Sequence, residues 1–385
     1  MTKLPAIGRR TALKTIGAGI VGSVTVTSSV TASRGRGGGP RNVVEIAAKH
    51  PDDGGDHYIF DFSTTEIESG WTTFILENQS GSTHFGLASR YEPGAVEYLD
   101  GLVEDPDNDI STRREAHIAE VALPFQEAWD PYWNQEIDLG TFFFGDPEDD
   151  EYDGLFASLA SEVAGVPVGG PGLIQGHHTA RTTMYLEPGV YNMECYVLDD
   201  VGRFHTDHML EVFEVTEDES NAVEPNADAE VTINNDGITL DDSIDRPGRY
   251  RFGVIFEENQ QYDNFMGHDV NLIRLDEGTT IGEGVPETDV NIWVNWLDPV
   301  PGTINGDDTL VYGQRGAMTS TSNNPGPSTW LGGVQDIFPE GDSQTAYFEA
   351  SLKPGDYALV AEIPDPLSQG FVERFTVTPS GRRGK

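Results

Sequence analysis

Residues 184–215, "MYLEPGVYNMECYVLDDVGRFHTDHMLEVFEV", contain the single cysteine of a 385-residue chain. Alternating apolar residues after a Pro-Gly turn predict a strand from Tyr191 to Val197, with Cys195 near its far end. The next loop leads to His205, and an apolar strand begins at Met209. Closing a loop of this length costs roughly a few kcal/mol, so Cys195 and His205 can meet at one end of a β-sandwich.

A second histidine lies upstream, in "FILENQSGSTHFGL" (residues 74–87), where one predicted strand ends at Asn78 and another begins near His84. Two imidazoles, one thiolate and one thioether form the ligand set of a blue-copper site, with His₂Cys in a plane and a long axial Met contact. Soft sulfur ligands suit copper in both of its oxidation states.

Most of the remaining sequence consists of short alternating runs broken by Gly, Pro, Asn and Asp, which predict an all-β protein. The pattern Leu-x-Pro-Gly-x-Tyr occurs in "YLEPGVYNMECYVLDD" (185–200) and again in "SLKPGDYALVAEIPDP" (351–366). Likewise, "HFGLASRYEPG" from His84 resembles "HDVNLIRLDEG" from His268. The sequence therefore predicts two copies of one module.

The acidic segment "TEDESNAVEPNADAE" (216–230) separates the two copies and places the domain boundary near Asp228. We expect a first copy at residues 43–228 and a second copy at residues 229–385. Apolar residues at helical spacing predict a helical insertion in the first copy, around "STRREAHIAEVALPFQEAWD" (111–130) and "GLFASLASEVAG" (154–165).

These motifs together resemble the cupredoxin family: Asn…His, then Leu-x-Pro-Gly-x-Tyr…Cys…His-x-x-x-Met after a long gap. The resemblance covers nearly all of residues 43–216, and residues 229–378 resemble a second, degenerate copy. It implies Greek-key β-sandwiches, copper bound at one pole, and single-electron transfer or copper handling. By position, the implied ligands are His84, Cys195, His205 and Met209.

Nine residues separate Cys195 from His205, more than in the small electron-transfer members of the family, although nitrite reductases of the superfamily have longer gaps. His208 could replace His205 as a ligand. The pair His177-His178 is expected at the same pole, and its participation would favour a nitrogen-rich site for Zn²⁺ or non-blue copper.

The second copy lacks most of this ligand set. Alignment of the Leu-x-Pro-Gly-x-Tyr turns places Ala361 at the position of Cys195, and of the histidines only His268 remains, matching His84. One imidazole cannot hold copper in this geometry. We expect the second copy to be a structural or partner-binding sandwich that binds no metal.

Three classes of function fit these features. A secreted copper-binding cupredoxin-like protein is favoured, with a redox protein or a cell-envelope component as its partner. The alternative is a metal-free cell-surface or binding module of two sandwiches with a decayed site. A copper oxidoreductase of the nitrite reductase or multicopper oxidase type is disfavoured because Glu194 and Tyr196, not histidine, flank Cys195, and because no His-x-His occurs.

The charge of the chain restricts its partners. It has 65 acidic against 23 basic residues and a formal net charge of −42. Nucleic acid is excluded as a partner because phosphate binding needs a basic surface. Such self-repulsion is best tolerated when concentrated salt screens it, which is typical of haloarchaeal proteins.

The N-terminal "GRRTALKTIGAGIVGSVTVTSSVTAS" resembles a twin-arginine export signal, with paired Arg9 and Arg10 before a mildly apolar stretch. We expect a signal peptide at residues 1–32, a flexible leader at 33–42 and a secreted mature protein. The apolar stretch from Ile16 to Val26 is too short for a membrane span, which needs about 20 residues, and no later segment qualifies.

Overall fold

The structure is a computed structural model that describes residues 42–379, except for 53, 56, 134–135, 137–164, 198–202, 263–266, 282–298, 302–309, 313–327, 340, 342 and 364. The predicted signal peptide lies outside the described residues. So do the predicted leader up to residue 41 and the second predicted helical segment up to residue 164.

The described residues form an all-β fold with a small helical insertion, which confirms the predicted fold class. The strands in chain order are β1 (Asn42–Lys49), β2 (Ile59–Phe62), β3 (Glu66–Asn78), β4 (Leu87–Tyr91), β5 (Gly165–Gly169), β6 (Thr179–Leu186), β7 (Gly189–Glu194), β8 (Leu210–Glu219), β9 (Ala229–Asn234), β10 (Gly237–Leu240), β11 (Gly248–Phe256), β12 (Val270–Leu275), β13 (Pro299–Pro301), β14 (Leu310–Tyr312), β15 (Ser328–Val334), β16 (Gln344–Leu352), β17 (Gly355–Val360) and β18 (Val372–Val377). The helices are α1 (Pro93–Glu104), α2 (Arg113–His117) and α3 (Leu123–Trp133), with a π-helical turn (Ile118–Ala122) and a 3₁₀ turn (His205–Asp207).

Strands from both copies share one large sheet, in the order β10-β9-β11-β16-β6-β3-β8-β7-β4-β5, with β1 paired to β3 and β2 paired to β1. The copies join where β16 pairs with β6, at Tyr347 opposite Thr183 and Phe348 opposite Thr182. A second sheet has the order β15-β12-β17-β18. The apolar faces of these sheets enclose a continuous core because alternate side chains of each strand point inward.

The contacts of the Leu-x-Pro-Gly-x-Tyr turns recur in both copies. The Tyr191 hydroxyl donates to the Glu187 carbonyl at 2.7 Å, and the Tyr357 hydroxyl donates to the Lys353 carbonyl at 2.8 Å. Each tyrosine ring also stacks on a phenylalanine of the following strand, with ring centroids 5.4 Å apart in the first copy and 5.3 Å in the second. The sequence repeat therefore corresponds to a repeat of structure.

An arginine braces each of these turns from the neighbouring strand. Arg90 Nη2 donates to the Pro188 carbonyl at 3.0 Å, and Arg274 Nη2 donates to the Pro354 carbonyl at 3.0 Å. Both arginines lie six positions after the matched histidines His84 and His268. The contact between the arginine and the turn therefore recurs in both copies at the same spacing from the matched histidine.

The first predicted helical segment is confirmed, since α2, the π-helical turn and α3 run without a break from Arg113 to Trp133. Thr112 caps this run, because its side chain accepts a hydrogen bond from the backbone N–H of Glu115. Helix α1 was not predicted. It begins at Pro93, which fits the first turn of a helix, and buries Ala95 and Leu99 four residues apart.

We call residues 170–174 and 330–335, which lie side by side at the junction of the copies, the seam. Three backbone hydrogen bonds cross it, including that from the Gly332 N–H to the Leu173 carbonyl at 2.8 Å. A Cβ atom at Gly333 would lie 2.0 Å from the carbonyl oxygen of Val270 on β12, so only glycine allows β15 to lie this close to β12.

None of the helices in the described residues has both the length and the apolar character needed to span a membrane.

Candidate metal centre

His84 reaches the site from the loop between β3 and β4 rather than from a strand. Its backbone forms an isolated antiparallel bridge with Ile174, with hydrogen bonds of 3.2 and 2.8 Å. Its ring Nε2 is hydrogen-bonded to the Ser80 hydroxyl at 2.8 Å. Because this bond fixes the ring, Nδ1 is left to face Cys195.

Cys195 lies one residue beyond the end of β7 and is fully buried, as are Tyr191, Met193 and Val197 of the predicted strand face. Two backbone hydrogen bonds bring the loop back to it. The N–H of His205 donates to the Val197 carbonyl at 3.0 Å, and the N–H of Cys195 donates to the Met209 carbonyl at 3.0 Å. The predicted closure of the Cys195–His205 loop is therefore present.

The three side chains converge on one point. Cys195 Sγ lies 3.8 Å from His84 Nδ1 and 3.9 Å from His205 Nδ1, and all three atoms are within 4.8 Å of one another. A point equidistant from such a triangle lies about 2.2–2.5 Å from each atom, close to metal–imidazole and metal–thiolate bond lengths of about 2.0–2.3 Å. The residues present therefore fit a metal ion.

The helical insertion holds the loop that carries His205. Arg114 donates to the carbonyls of His208 at 2.8 Å and Leu210 at 2.6 Å, one on each side of Met209. From α3, the Gln126 side chain accepts a hydrogen bond of 2.8 Å from the Phe204 N–H. This insertion is thus part of the support of the site.

Tyr58 covers the two imidazoles. Its ring meets that of His84 edge-on, with centroids 4.8 Å apart, and that of His205 at 4.9 Å. The Tyr58 hydroxyl is hydrogen-bonded to Ser82 at 2.7 Å, and the His50 ring packs on its outer side at 4.5 Å. Because His84 and His205 are both buried, Tyr58 separates them from solvent on this side.

Burial sets the protonation of the ligand atoms. It lowers the pKa of His205 to about 3. The pKa of His84 falls well below its usual value because of burial first and of the nearby His205 and His50 second. Both imidazoles are therefore neutral at pH 7, the form that binds metal.

Burial shifts the pKa of the Cys195 thiol in the opposite direction. Burial raises its pKa to about 12, while hydrogen bonds from the backbone amides of Phe85 and Val197 act to lower it. Without a metal the side chain is a neutral thiol at pH 7, so a bound cation must displace its proton. The two backbone N–H groups are placed to stabilise the resulting thiolate.

Met209 is buried beside this cluster, and its backbone is bound on both sides, to His205 through its N–H and to Cys195 through its carbonyl. Its assignment as the axial ligand stays a prediction.

The other candidate histidines are not brought into the group. His208 stacks on His57, with ring centroids 3.9 Å apart, and its Nε2 lies 3.6 Å from Asp207. His177 and His178 are exposed in the loop before β6. In the described part of the chain, the only group of three metal-binding side chains is His84, Cys195 and His205.

In the second copy, the residues that match Cys195 and His84 are Ala361 and His268, and both make hydrogen bonds within that copy. The N–H of Ala361 donates to the Phe371 carbonyl at 3.2 Å, matching the bond from Cys195 to Met209. His268 Nδ1 is hydrogen-bonded to the Glu258 carbonyl at 2.9 Å, and its Nε2 to the Tyr262 hydroxyl at 3.2 Å. Both ring nitrogens of His268 therefore have hydrogen-bond partners.

Sequence reasoning missed three supporting residues: Ser80, Tyr58 and Arg114. Ser80 had a local signal, because "NQSGSTH" (78–84) places small polar residues just before His84. Tyr58 and Arg114 act on residues far along the chain, and no local pattern indicates those contacts.

No family model matches the chain, and no curated protein matches it. Among solved structures, auracyanin B is similar at 18% identity over 42% of this chain and 96% of that chain, with a TM-score of 0.23. A multicopper oxidase is similar at 10% identity over 87% of this chain and 88% of that chain, with a TM-score of 0.19.

A copper nitrite reductase from Nitrosomonas europaea is similar at 10% identity over 87% of this chain and 93% of that chain, with a TM-score of 0.18. Superpositions this loose do not identify a relative. Metal binding is therefore supported by the arrangement of His84, Cys195 and His205 alone.

Proposed function

We propose that this chain is a copper-binding, cupredoxin-like protein that uses His84, Cys195 and His205 for single-electron transfer or copper handling. The observation that supports the proposal most strongly is the convergence of two imidazole Nδ1 atoms on the only thiol of the chain. Two imidazole nitrogens and one soft sulfur favour copper over hard cations.

The chain's own residues would perform distinct tasks. His84, held through Nε2 by Ser80, and His205, held by the bound loop, present neutral nitrogens. Cys195 supplies the thiolate once its proton leaves. The Tyr58 ring excludes water from the imidazoles. Bound copper would supply a one-electron couple, and a rigid, dry donor set keeps the reorganisation between oxidation states small.

The residues adjacent to Cys195 favour a carrier or binding protein over an enzyme. Glu194 and Tyr196 flank the cysteine, where copper enzymes of this type place a histidine.

We propose that the protein is exported by the twin-arginine route, and that it exchanges electrons or copper with a redox protein or a cell-envelope component. Met209 is proposed as an axial ligand, and the second copy as a sandwich without metal.

The test is a titration of the full chain with Cu²⁺ in molar salt, followed by absorption spectroscopy. We expect one copper per chain and a visible band from thiolate-to-copper charge transfer. The variant Cys195→Ser should remain folded and lose the band, because serine is similar in size but lacks the soft sulfur.

His178→Ala is the matched control, because it removes an exposed histidine outside the group. It should leave the band unchanged. A colourless wild type that retains no copper after desalting would overturn the proposal and favour the metal-free module of two sandwiches.

A further inference from the structure

Three carboxylates are buried together in the second copy, beside the seam. Asp269 and Glu362 are completely buried, and Asp336 is 1% exposed. Asp269 and Glu362 follow directly after His268 and Ala361, the positions that match His84 and Cys195. In the first copy, the matching residues are Phe85 and Tyr196, whose rings lie 4.8 Å apart. An acid pair thus replaces an aromatic pair.

Asp269 and Glu362 share one hydrogen-bond donor, the side-chain amide of Asn271. Asn271 Nδ2 donates to Asp269 Oδ2 and also to Glu362 Oε1, the latter at 3.0 Å. The backbone N–H of Glu362 donates to Asp269 Oδ1 at 2.6 Å. The two carboxylates are therefore in close proximity, and two like charges this close in a buried site cannot both be ionised.

The amide of Asn271 is fixed from the seam. Its Oδ1 accepts a hydrogen bond of 2.7 Å from the Leu173 N–H, which turns its N–H₂ group toward the acids. Gln335 also connects them, since its N–H donates to the Gly170 carbonyl at 3.0 Å and its Nε2 to Glu362 Oε1 at 3.2 Å. A site furnished with donors suits a shared proton and not a metal cation.

We infer that Asp269 and Glu362 hold one proton between them, and that its loss as the pH rises loosens the seam between the two copies. The second negative charge would repel the first, and the acids would then separate or admit water. Because Asn271 and Gln335 bind both the acids and the seam, that movement reaches Gly170 and Leu173.

The groups that face the pair reinforce this effect. Asp336 accepts a hydrogen bond from the Gly267 N–H at 3.2 Å, and burial raises its pKa to about 7, so its negative charge develops over the same pH range. Burial raises the pKa of Tyr196, and the charges of Asp336, Glu194, Glu362 and Asp269 raise it further. Burial also raises the pKa of the Cys195 thiol, with Glu362 and Glu194 as smaller causes. His268 lies on the same segment, but its pKa is lowered by burial, so it is neutral at pH 7.

The direction of the pKa shifts of Glu362 and Asp269 gives the pH range over which the pair loses its proton. Burial raises the pKa of Glu362 from 4.5 to about 7, and burial together with the charge of Glu362 raises that of Asp269 well above its usual value. A proton bound more tightly in the folded than in the unfolded state stabilises the fold fully below pH 4.5. Its contribution falls as the pH rises and is lost as the pH passes the raised pKa values of the pair.

The test is amide hydrogen exchange of the metal-free full chain between pH 5 and pH 8.5, corrected for the intrinsic exchange rate. Peptides covering residues 170–174 and 330–335 should lose protection as the pH rises, by at most about tenfold per pH unit for one proton. Glu362→Gln should remove this dependence, because glutamine keeps the acceptor oxygen and cannot ionise.

Glu373→Gln on β18 is the matched control, because the Glu373 side chain is partly exposed. It should keep the dependence of the wild type. Protection that does not change with pH in the wild type would overturn the inference, as would an unchanged dependence in Glu362→Gln. If Glu362→Gln does not fold, Asp269→Asn is judged by the same two outcomes.

Discussion

The sulfur of Cys195 lies 3.8 Å from Nδ1 of His84, although 111 positions of the chain separate the two residues. The loop before β4 and the end of β7 must both be correctly placed for this contact to form. His205 reaches the same point through the loop after Cys195, which the helical insertion holds in place.

Ser80 should be required for tight copper binding. Ser80→Ala removes the hydrogen bond of 2.8 Å to His84 Nε2, so the ring can rotate away from Cys195. Loss of such an outer partner costs about 10–100-fold in metal affinity, measurable by competition with a chelator. Ser368→Ala, an exposed serine of the second copy, should bind copper as the wild type does. Equal affinities in the two variants would contradict this role.

Arg114 should stabilise both the fold and the site. Arg114→Ala removes two hydrogen bonds to the carbonyls around Met209, at a cost of about 1–3 kcal/mol in the free energy of unfolding. Copper affinity should fall as well, because the loop that carries His205 loosens. Denaturant unfolding and chelator competition measure the two effects.

Arg113→Ala provides the control for Arg114. Arg113 pairs with Asp100 at 2.6 Å in a partly exposed position, so its loss should cost no more than about 1 kcal/mol. Copper affinity should not change. If both variants bind copper equally well, the insertion does not support the site.

Copper uptake should release one proton at pH 7. The Cys195 thiol is protonated because burial raises its pKa to about 12, whereas His205, with a pKa of about 3, has no proton to lose. The apparent affinity should therefore rise about tenfold per pH unit between pH 6 and pH 8. Proton release in weakly buffered solution gives the count directly, and a value near zero would show that the thiol does not bind.

Stability should increase with salt. The net charge of −42 gives repulsion that reaches about 10 Å at 0.1 M salt but only about 3 Å at 1 M. We expect the melting temperature to fall when molar salt is diluted to 0.1 M. An unchanged melting temperature would contradict the interpretation of the composition.

Much of the fold and site was predictable because the signals are local. Alternation placed Cys195 at the end of a strand, spacing brought His205 back to it, and the Leu-x-Pro-Gly-x-Tyr turns revealed the repeat. The helical run at Arg113–Trp133 also followed from its periodicity. Each of these features depends on residues close together in the sequence.

The features that were missed depend on distant contacts. Tyr58 precedes β2 and covers His205 because β2 pairs with β1 and β1 pairs with β3, and nothing near Tyr58 in the sequence indicates this. Asp269 and Glu362 are two among 65 acidic residues. In a chain where acids ordinarily cover the surface, no sequence pattern separates a buried pair from exposed ones.

X-ray absorption spectroscopy of the copper-loaded chain tests the central claim most directly. The His84–Cys195–His205 site predicts one sulfur neighbour at about 2.2–2.3 Å and two imidazole nitrogens at about 2.0 Å. In Cys195→Ser the sulfur signal at this distance should disappear. Copper surrounded only by nitrogen and oxygen in the wild type would contradict the account.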